Sequence, residues 1–156
     1  MSRRKQAKKK IISQDPIYNS LLVSMLINKI LMEGKKSLAQ KIMYEAMGNI
    51  HQSTKQDPLE VLKKAVENVT PKIELKSRRV RGATYQVPRE IKVERGNSLA
   101  LKFLIKSARN RPGKSMVIKL SNEIIDAYNN TGNSVKKKEE IHKMAEANKA
   151  FTNLKF

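Results

Sequence analysis

Apolar residues recur at helical spacing along most of the chain. Leu21, Leu22, Met25, Leu26, Ile30 and Leu31 repeat every three or four positions, and Val23 and Ile27 widen the stripe. This pattern predicts a helix over 17–33, and its broad apolar surface predicts a central place in the core. Gly34 is a natural stop, because glycine enters the left-handed region without a steric penalty. Ser37 followed by Gln40 reads as a capping box for a second helix to about residue 52. Its stripe is Leu38, Ile42, Met43, Ala46 and Ile50. Asp57-Pro58 with Glu60 opens a third helix, with Leu59, Leu62, Ala65, Val66 and Val69 facing inward. Thr70-Pro71 ends it, since the residue before proline avoids the helical region.

Between residues 72 and 95 the period drops to two. Ile73 and Leu75 alternate with charged residues, Tyr85 and Val87 alternate with polar ones, and Gly82 lies between the two runs. The pattern predicts a β-hairpin, 73–79 against 84–91. Pro88 points to an edge or a bulge rather than a central strand. A lone two-stranded ribbon is marginally stable, so it is expected to pack at its base and project at its tip. Helical spacing then returns. Asn97 or Ser98 caps a segment with Leu99, Phe103, Leu104 and Ala108. Ser115 caps one with Ile118, Leu120, Ile124, Ile125 and Tyr128, ended by Gly132. Ser134 caps a last helix over about 135–150, with Ile141, Met144 and Ala145. The expectation is a mainly α protein, a six-helix domain with one protruding β-hairpin between the third and fourth helices. Residues 1–14 form a basic N-terminal arm, and 15–156 form the single helical domain, with the hairpin at about 73–91.

Charge narrows the function. The 156 residues include 33 Lys and Arg against 14 Asp and Glu, a net +19. A domain this basic repels itself, and a polyanionic partner relieves the repulsion. There is no cysteine, hence no disulfide, thiolate zinc site or cysteine nucleophile. His51 and His142 are the only imidazoles and are far apart. No apolar run approaches the ~20 residues of a membrane span, and no signal or transit peptide is expected. Gly113-Lys114-Ser115 imitates the end of a phosphate loop, but Ala108 stands where its first glycine belongs. Nothing here argues for catalysis, a cofactor, a metal or a small-molecule substrate.

The cations cluster. Arg3, Arg4, Lys5, Lys8, Lys9 and Lys10 fill the arm. Lys76, Arg78, Arg79, Arg81, Arg89, Lys92 and Arg95 crowd the hairpin region. Lys102, Lys106, Arg109, Arg111, Lys114 and Lys119 fall in a stretch without an acid. Five of the nine arginines lie between 78 and 95, which marks the hairpin for recognition, because a guanidinium grips phosphate bidentately. Seven aromatics, several at core positions, are too few for a single-strand stacking platform. Folded RNA, read through phosphate and shape, fits better. A basic helical DNA-binding architectural protein is the alternative, and an RNA-modifying enzyme a weaker third.

The run Arg78-Arg79-Val80-Arg81-Gly82-Ala83-Thr84-Tyr85-Gln86-Val87-Pro88 resembles the hairpin signature of ribosomal protein seven of the small subunit. Val135-Lys136-Lys137-Lys138-Glu139-Glu140 and Met144-Ala145-Glu146-Ala147-Asn148-Lys149-Ala150-Phe151 resemble that family's last helix. Asp15-Pro16-Ile17-Tyr18-Asn19-Ser20, Gly34-Lys35-Lys36-Ser37 and Asp57-Pro58-Leu59-Glu60-Val61 match in order and spacing. Arg81 departs from the glycine of many bacterial members, and the last six residues depart too. The resemblance implies a primary binder of small-subunit ribosomal RNA that nucleates the head, or 3′ major, domain. It also implies a place near exit-site tRNA and the mRNA exit, beside ribosomal proteins nine and eleven, and away from membranes. The implied RNA contacts are the six arm cations with Lys35, Lys36, Lys76, Arg78, Arg79, Arg95, Arg109, Arg111, Lys114, Lys136, Lys137 and Lys138. Arg81, Gly82, Thr84 and Tyr85 are the implied tRNA-proximal hairpin residues. Lysine, isoleucine and asparagine, numbering 24, 14 and 12, have A/T-rich codons. That balance and the resemblance point to the ribosome of the plastid (chloroplast) stroma, with the bacterial cytoplasm second.

Overall fold

The first helix, α1 (Leu21–Ile30), starts four residues later than its apolar pattern predicts. The structure, a computed structural model, describes residues 12–80 and 82–150. Asp15 explains the delay. Its buried carboxylate accepts the backbone N–H groups of Ile17 and Tyr18, both at 3.1 Å, and the Tyr44 hydroxyl at 2.8 Å. A side chain that satisfies these N–H groups holds 15–18 in a turn and competes with helix. Burial and the bond to Asp15 push the Tyr44 hydroxyl up to about 12. At the other end α1 stops at Ile30, and Glu33 and Gly34 both take positive φ in the turn that follows.

The remaining elements are α2 (Lys36–Thr54), α3 (Pro58–Val69), β1 (Ile73–Val80), β2 (Ala83–Glu90), α4 (Val93–Asn110), α5 (Met116–Tyr128) and α6 (Gly132–Ala147). Six helices with one hairpin between the third and fourth is the architecture that the periodicity predicts. The strongest local signal formed as expected. Asp57 caps α3 by accepting Leu59 N–H at 3.1 Å, and Pro58 takes the first helical position. The serine caps did not form. Ser37 and Ser134 lie inside the first turns of α2 and α6, and Ser115 at the head of α5 makes no capping bond.

α4 begins at Val93, four residues ahead of the Asn97 signal. Its first turn packs on the end of α3, where a Cβ on Gly96 would come within 3.0 Å of the Thr70 side chain. Glycine here permits a close approach of two elements that no local propensity encodes.

The core centre is also displaced from expectation. α5, not α1, packs against α2, α3, α4 and α6, and its Leu120, Ile124 and Ala127 are fully buried. α1 packs on α2 and α4. A broad apolar stripe cannot make a helix central when neighbours cover it on one side. Leu21, Leu38, Ile118 and Met144, all read as inward, are exposed for the same reason. Asn68 donates its amide to the carbonyls of Ala127 and Tyr128 at the end of α5, both at 3.0 Å.

β1 and β2 pair antiparallel from Ile73 opposite Glu90 to Arg79 opposite Thr84 and beyond, and Gly82 at the tip has φ +90°. Eight residues per strand make a ribbon of about 27 Å. α6 is the helix that packs against both strands. At the base, Lys72 N–H donates to His142 Nε2 at 3.1 Å. Burial, then the ammonium groups of Lys138 and Lys72, hold the His142 pKa below the ordinary imidazole value. A neutral ring is what an accepting Nε2 requires.

Candidate nucleic-acid interface

The apolar period of α4 buries Ala100, Leu101, Leu104 and Ala108. Lys102, Lys106 and Arg109 therefore fall together on its outer face, at helical spacings of four and three. Around them the fold assembles cations from distant parts of the chain. Lys102, Lys106 and Arg109 share a depression of about 550 Å³ with Lys29 of α1. Across the helix, Lys102 and Lys106 line a cleft of about 470 Å³ with Lys136 and Lys137 of α6, and Asn110 and Asn133 line it too. On the other flank Arg109 lines a groove of about 410 Å³ with Lys35. The result is a belt running from Lys35 through Arg109, Lys29, Lys106 and Lys102 to Lys136 and Lys137.

The acids along this belt are engaged. Glu140 bonds Lys137 at 2.6 Å, which holds its carboxyl below the usual carboxylate range. Glu33 bonds Lys35 at 2.7 Å. Both pairs are solvent-exposed and screened by water and salt, so a phosphate can compete for either lysine.

Several sequence-predicted contacts bond groups of the protein itself, and one of them, Arg111, turns inward. Arg111 is mostly buried, with Nε 2.5 Å from Glu123 Oε2 and Nη2 bonded to Asp126. Two carboxylates already fill its fork, so its guanidinium holds the fold. Lys138 Nζ donates to the Asn68 carbonyl at 2.6 Å, at the end of α3. Arg109 Nη2 donates to the Ile30 carbonyl at 3.2 Å, at the end of α1, while its side chain still reaches the belt. Arg95 pairs with Glu74 at 2.7 Å beside the ribbon base.

On the ribbon, Lys76, Arg78 and Arg79 are exposed along β1, and Gly82 and Thr84 are exposed near the tip. The register places Arg78 opposite Tyr85, so the two share one face with Lys76 and Val87. Ser77 and Gln86 bond each other on the opposite face. Tyr85 is half-buried. Lys36, the first residue of α2, and Lys114, in the loop before α5, are exposed. The arm cations Arg3, Arg4, Lys5, Lys8, Lys9 and Lys10, and Arg81, lie outside the described residues.

Sequence reading overlooked Lys29, a lone cation on an apolar helix. It saw Lys102 and Lys106 only as members of a charge run. Their i, i+4 spacing on an acid-free helix face was the available signal. Tyr18, Tyr44, Phe103 and Tyr128 pack against the core, as the stacking argument required. Among the described residues there is no cluster of metal-ligating side chains, and no helix is long and apolar enough to cross a membrane.

Comparison with known proteins adds the chemistry of the partner. Residues 2–149 match the family model described as "Ribosomal protein S7p/S5e". The chain is 64% identical to "Small ribosomal subunit protein uS7c" of Euglena gracilis over 156 residues, the whole of both chains. It is 59% identical to the protein of the same name in Ostreococcus tauri, again over both full lengths. It is 55% identical over both full lengths to "Small ribosomal subunit protein uS7" of Acaryochloris marina.

Proposed function

The chain belongs to the ribosomal protein S7p/S5e family, and from that premise we propose that it is a primary RNA-binding protein that nucleates the head domain of the small subunit. Membership makes it a structural component of the small ribosomal subunit and not an enzyme, with ribosomal RNA as its partner. Its place is the ribosome of a plastid or a bacterium. The finer reading puts the ribbon near exit-site tRNA and the mRNA exit, with ribosomal proteins nine and eleven as neighbours. It puts the ribosome in the plastid stroma, on the strength of the lysine-, isoleucine- and asparagine-rich composition.

The observation that carries the RNA-binding reading is the convergence of Lys29, Lys35, Lys102, Lys106, Arg109, Lys136 and Lys137 on one belt. Cations so placed follow a phosphate backbone without reading bases, which suits folded RNA read through phosphate and shape. The exposed ribbon residues Lys76, Arg78 and Arg79 are the second contact region, with Lys36 and Lys114 flanking.

The test is filter binding of the full chain to head-domain ribosomal RNA across a salt series. The logarithm of the affinity should fall linearly with log salt, by about 0.7–0.9 per phosphate contact. Unrelated RNA of equal length should bind more weakly. A flat salt response, or equal affinity for unrelated RNA, overturns the reading. Equal affinity for duplex DNA returns the architectural alternative.

A further inference from the structure

Beneath the cleft between α4 and α6 lies a buried polar link that joins its two walls. Glu123 of α5 is fully buried. Its Oε2 accepts Arg111 Nε at 2.5 Å, at the C-cap of α4. Its Oε1 accepts Ser134 N–H at 2.9 Å, in the first turn of α6. Asp126, one turn along α5, takes the remaining arm of the guanidinium. The residues next to these anchors, Asn110 and Asn133, line the cleft itself. Lys106 and Lys136 lie about one turn further along their helices.

We propose that Glu123 is a positioning residue for RNA binding, holding the lysines of α4 and α6 face to face so that both walls grip one phosphate backbone. The inference rests on the RNA-binding reading and deepens it.

Four ammonium groups line one cleft against the single carboxylate of Glu140, which pairs with Lys137, and the remaining repulsion works to open it. A hydrophobic contact resists separation but is non-directional and tolerates sliding. A carboxylate fixed by a guanidinium on one side and a backbone N–H on the other sets both distance and orientation. The Ser134 hydroxyl is buried without a hydrogen-bond partner, so the backbone N–H alone makes the link to α6. A burial cost is accepted at Glu123 where an apolar side chain would fill the space, and that argues for geometry over stability.

The test separates positioning from stability. Replacing both buried partners, Arg111→Met with Glu123→Leu, removes the link and leaves no unpaired buried charge. Asp126 is part-exposed and can be hydrated. This double variant should melt within a few degrees of the parent. Its binding to head-domain ribosomal RNA should show a salt slope shallower by about 1.4–1.8, which is two phosphate contacts at 0.7–0.9 each. An unchanged slope in a folded double variant overturns the proposal. Glu123→Gln offers one acceptor oxygen to two donors, so it keeps Ser134 N–H, loses Arg111 Nε–H and should also show a shallower slope. A folded Gln variant with the full parental slope overturns it as well.

Because the chain has no cysteine, Lys106→Cys with Lys136→Cys gives two clean spin-label sites across the cleft. The interlabel distance should be narrow in the parental background and broad after loss of the Glu123 link. A distribution equally narrow in both backgrounds overturns the proposal without reference to RNA. A flat salt response of the unmutated protein would instead fail the RNA reading, while the label distances still judge the link.

Discussion

The cleft between α4 and α6 and the β-ribbon carry similar positive charge on different mountings. The cleft lysines stand on helices that pack on several sides, and α5 ties them together through Glu123. The ribbon cations stand on two strands that pair with each other and rest on α6. Local pairing sets which ribbon side chains share a face. Its direction relative to the body depends on a base that includes one bond, from Lys72 N–H to His142. Charge on a shared core is held at a set spacing, whereas charge on a ribbon is held at a set reach.

The contrast can be broken at its strongest point first. Arg111→Met leaves Glu123 buried and uncompensated, and should cost about 3–5 kcal/mol in urea denaturation. A loss under about 1 kcal/mol would mean that the body does not depend on this link. Leu104→Ala, at a fully buried position under the α4 lysines, should cost about 2–5 kcal/mol by the same measurement.

The ribbon base should respond to pH more weakly. His142 has a depressed folded pKa, so its contribution is present above the ordinary value near 6.5 and is lost as pH falls through the lowered folded value. A lower protection factor against amide exchange at Lys72 in mild acid would report the loss. His142→Leu should remove that pH dependence at a cost of about 0.5–1 kcal/mol at neutral pH. Protection that does not change with pH would separate the ribbon base from His142.

The smallest stability effect belongs to the ribbon shaft. Lys76→Ala with Arg79→Ala should leave the melt within about 0.5 kcal/mol of the parent. The RNA salt slope should nonetheless drop by about 1.4–1.8, two phosphate contacts. A cooperative melt lost in this variant would show that these exposed cations hold structure.

Local chemistry was legible wherever one residue's own backbone preference decided the outcome. Asp57-Pro58 starts α3, Thr70-Pro71 ends it, and the switch from spacing of three and four to two marks the ribbon. Errors fell where a distant partner decided. α4 starts early because Gly96 lets it press on Thr70, and α1 starts late because Asp15 answers to Tyr44. For the candidate site, the cation types and clusters were legible and their destinations were not. Arg111 reads as a phosphate ligand by type, and Glu123, which claims it, carries no sequence signal that separates it from a surface acid.

By itself the sequence determined the element types, the single protruding hairpin, the absence of thiol chemistry and the demand for a polyanion. These follow from periodicity, composition and net charge, which are properties of the chain as a string. Only the tertiary structure decided that α5 is the hub, that Lys29 and Lys35 join Lys102, Lys106, Lys136 and Lys137 on one belt, and that Arg111 turns inward. The reason is that burial and ion pairing depend on distance in space. A guanidinium bonds whichever carboxylate the packing of helices brings within reach.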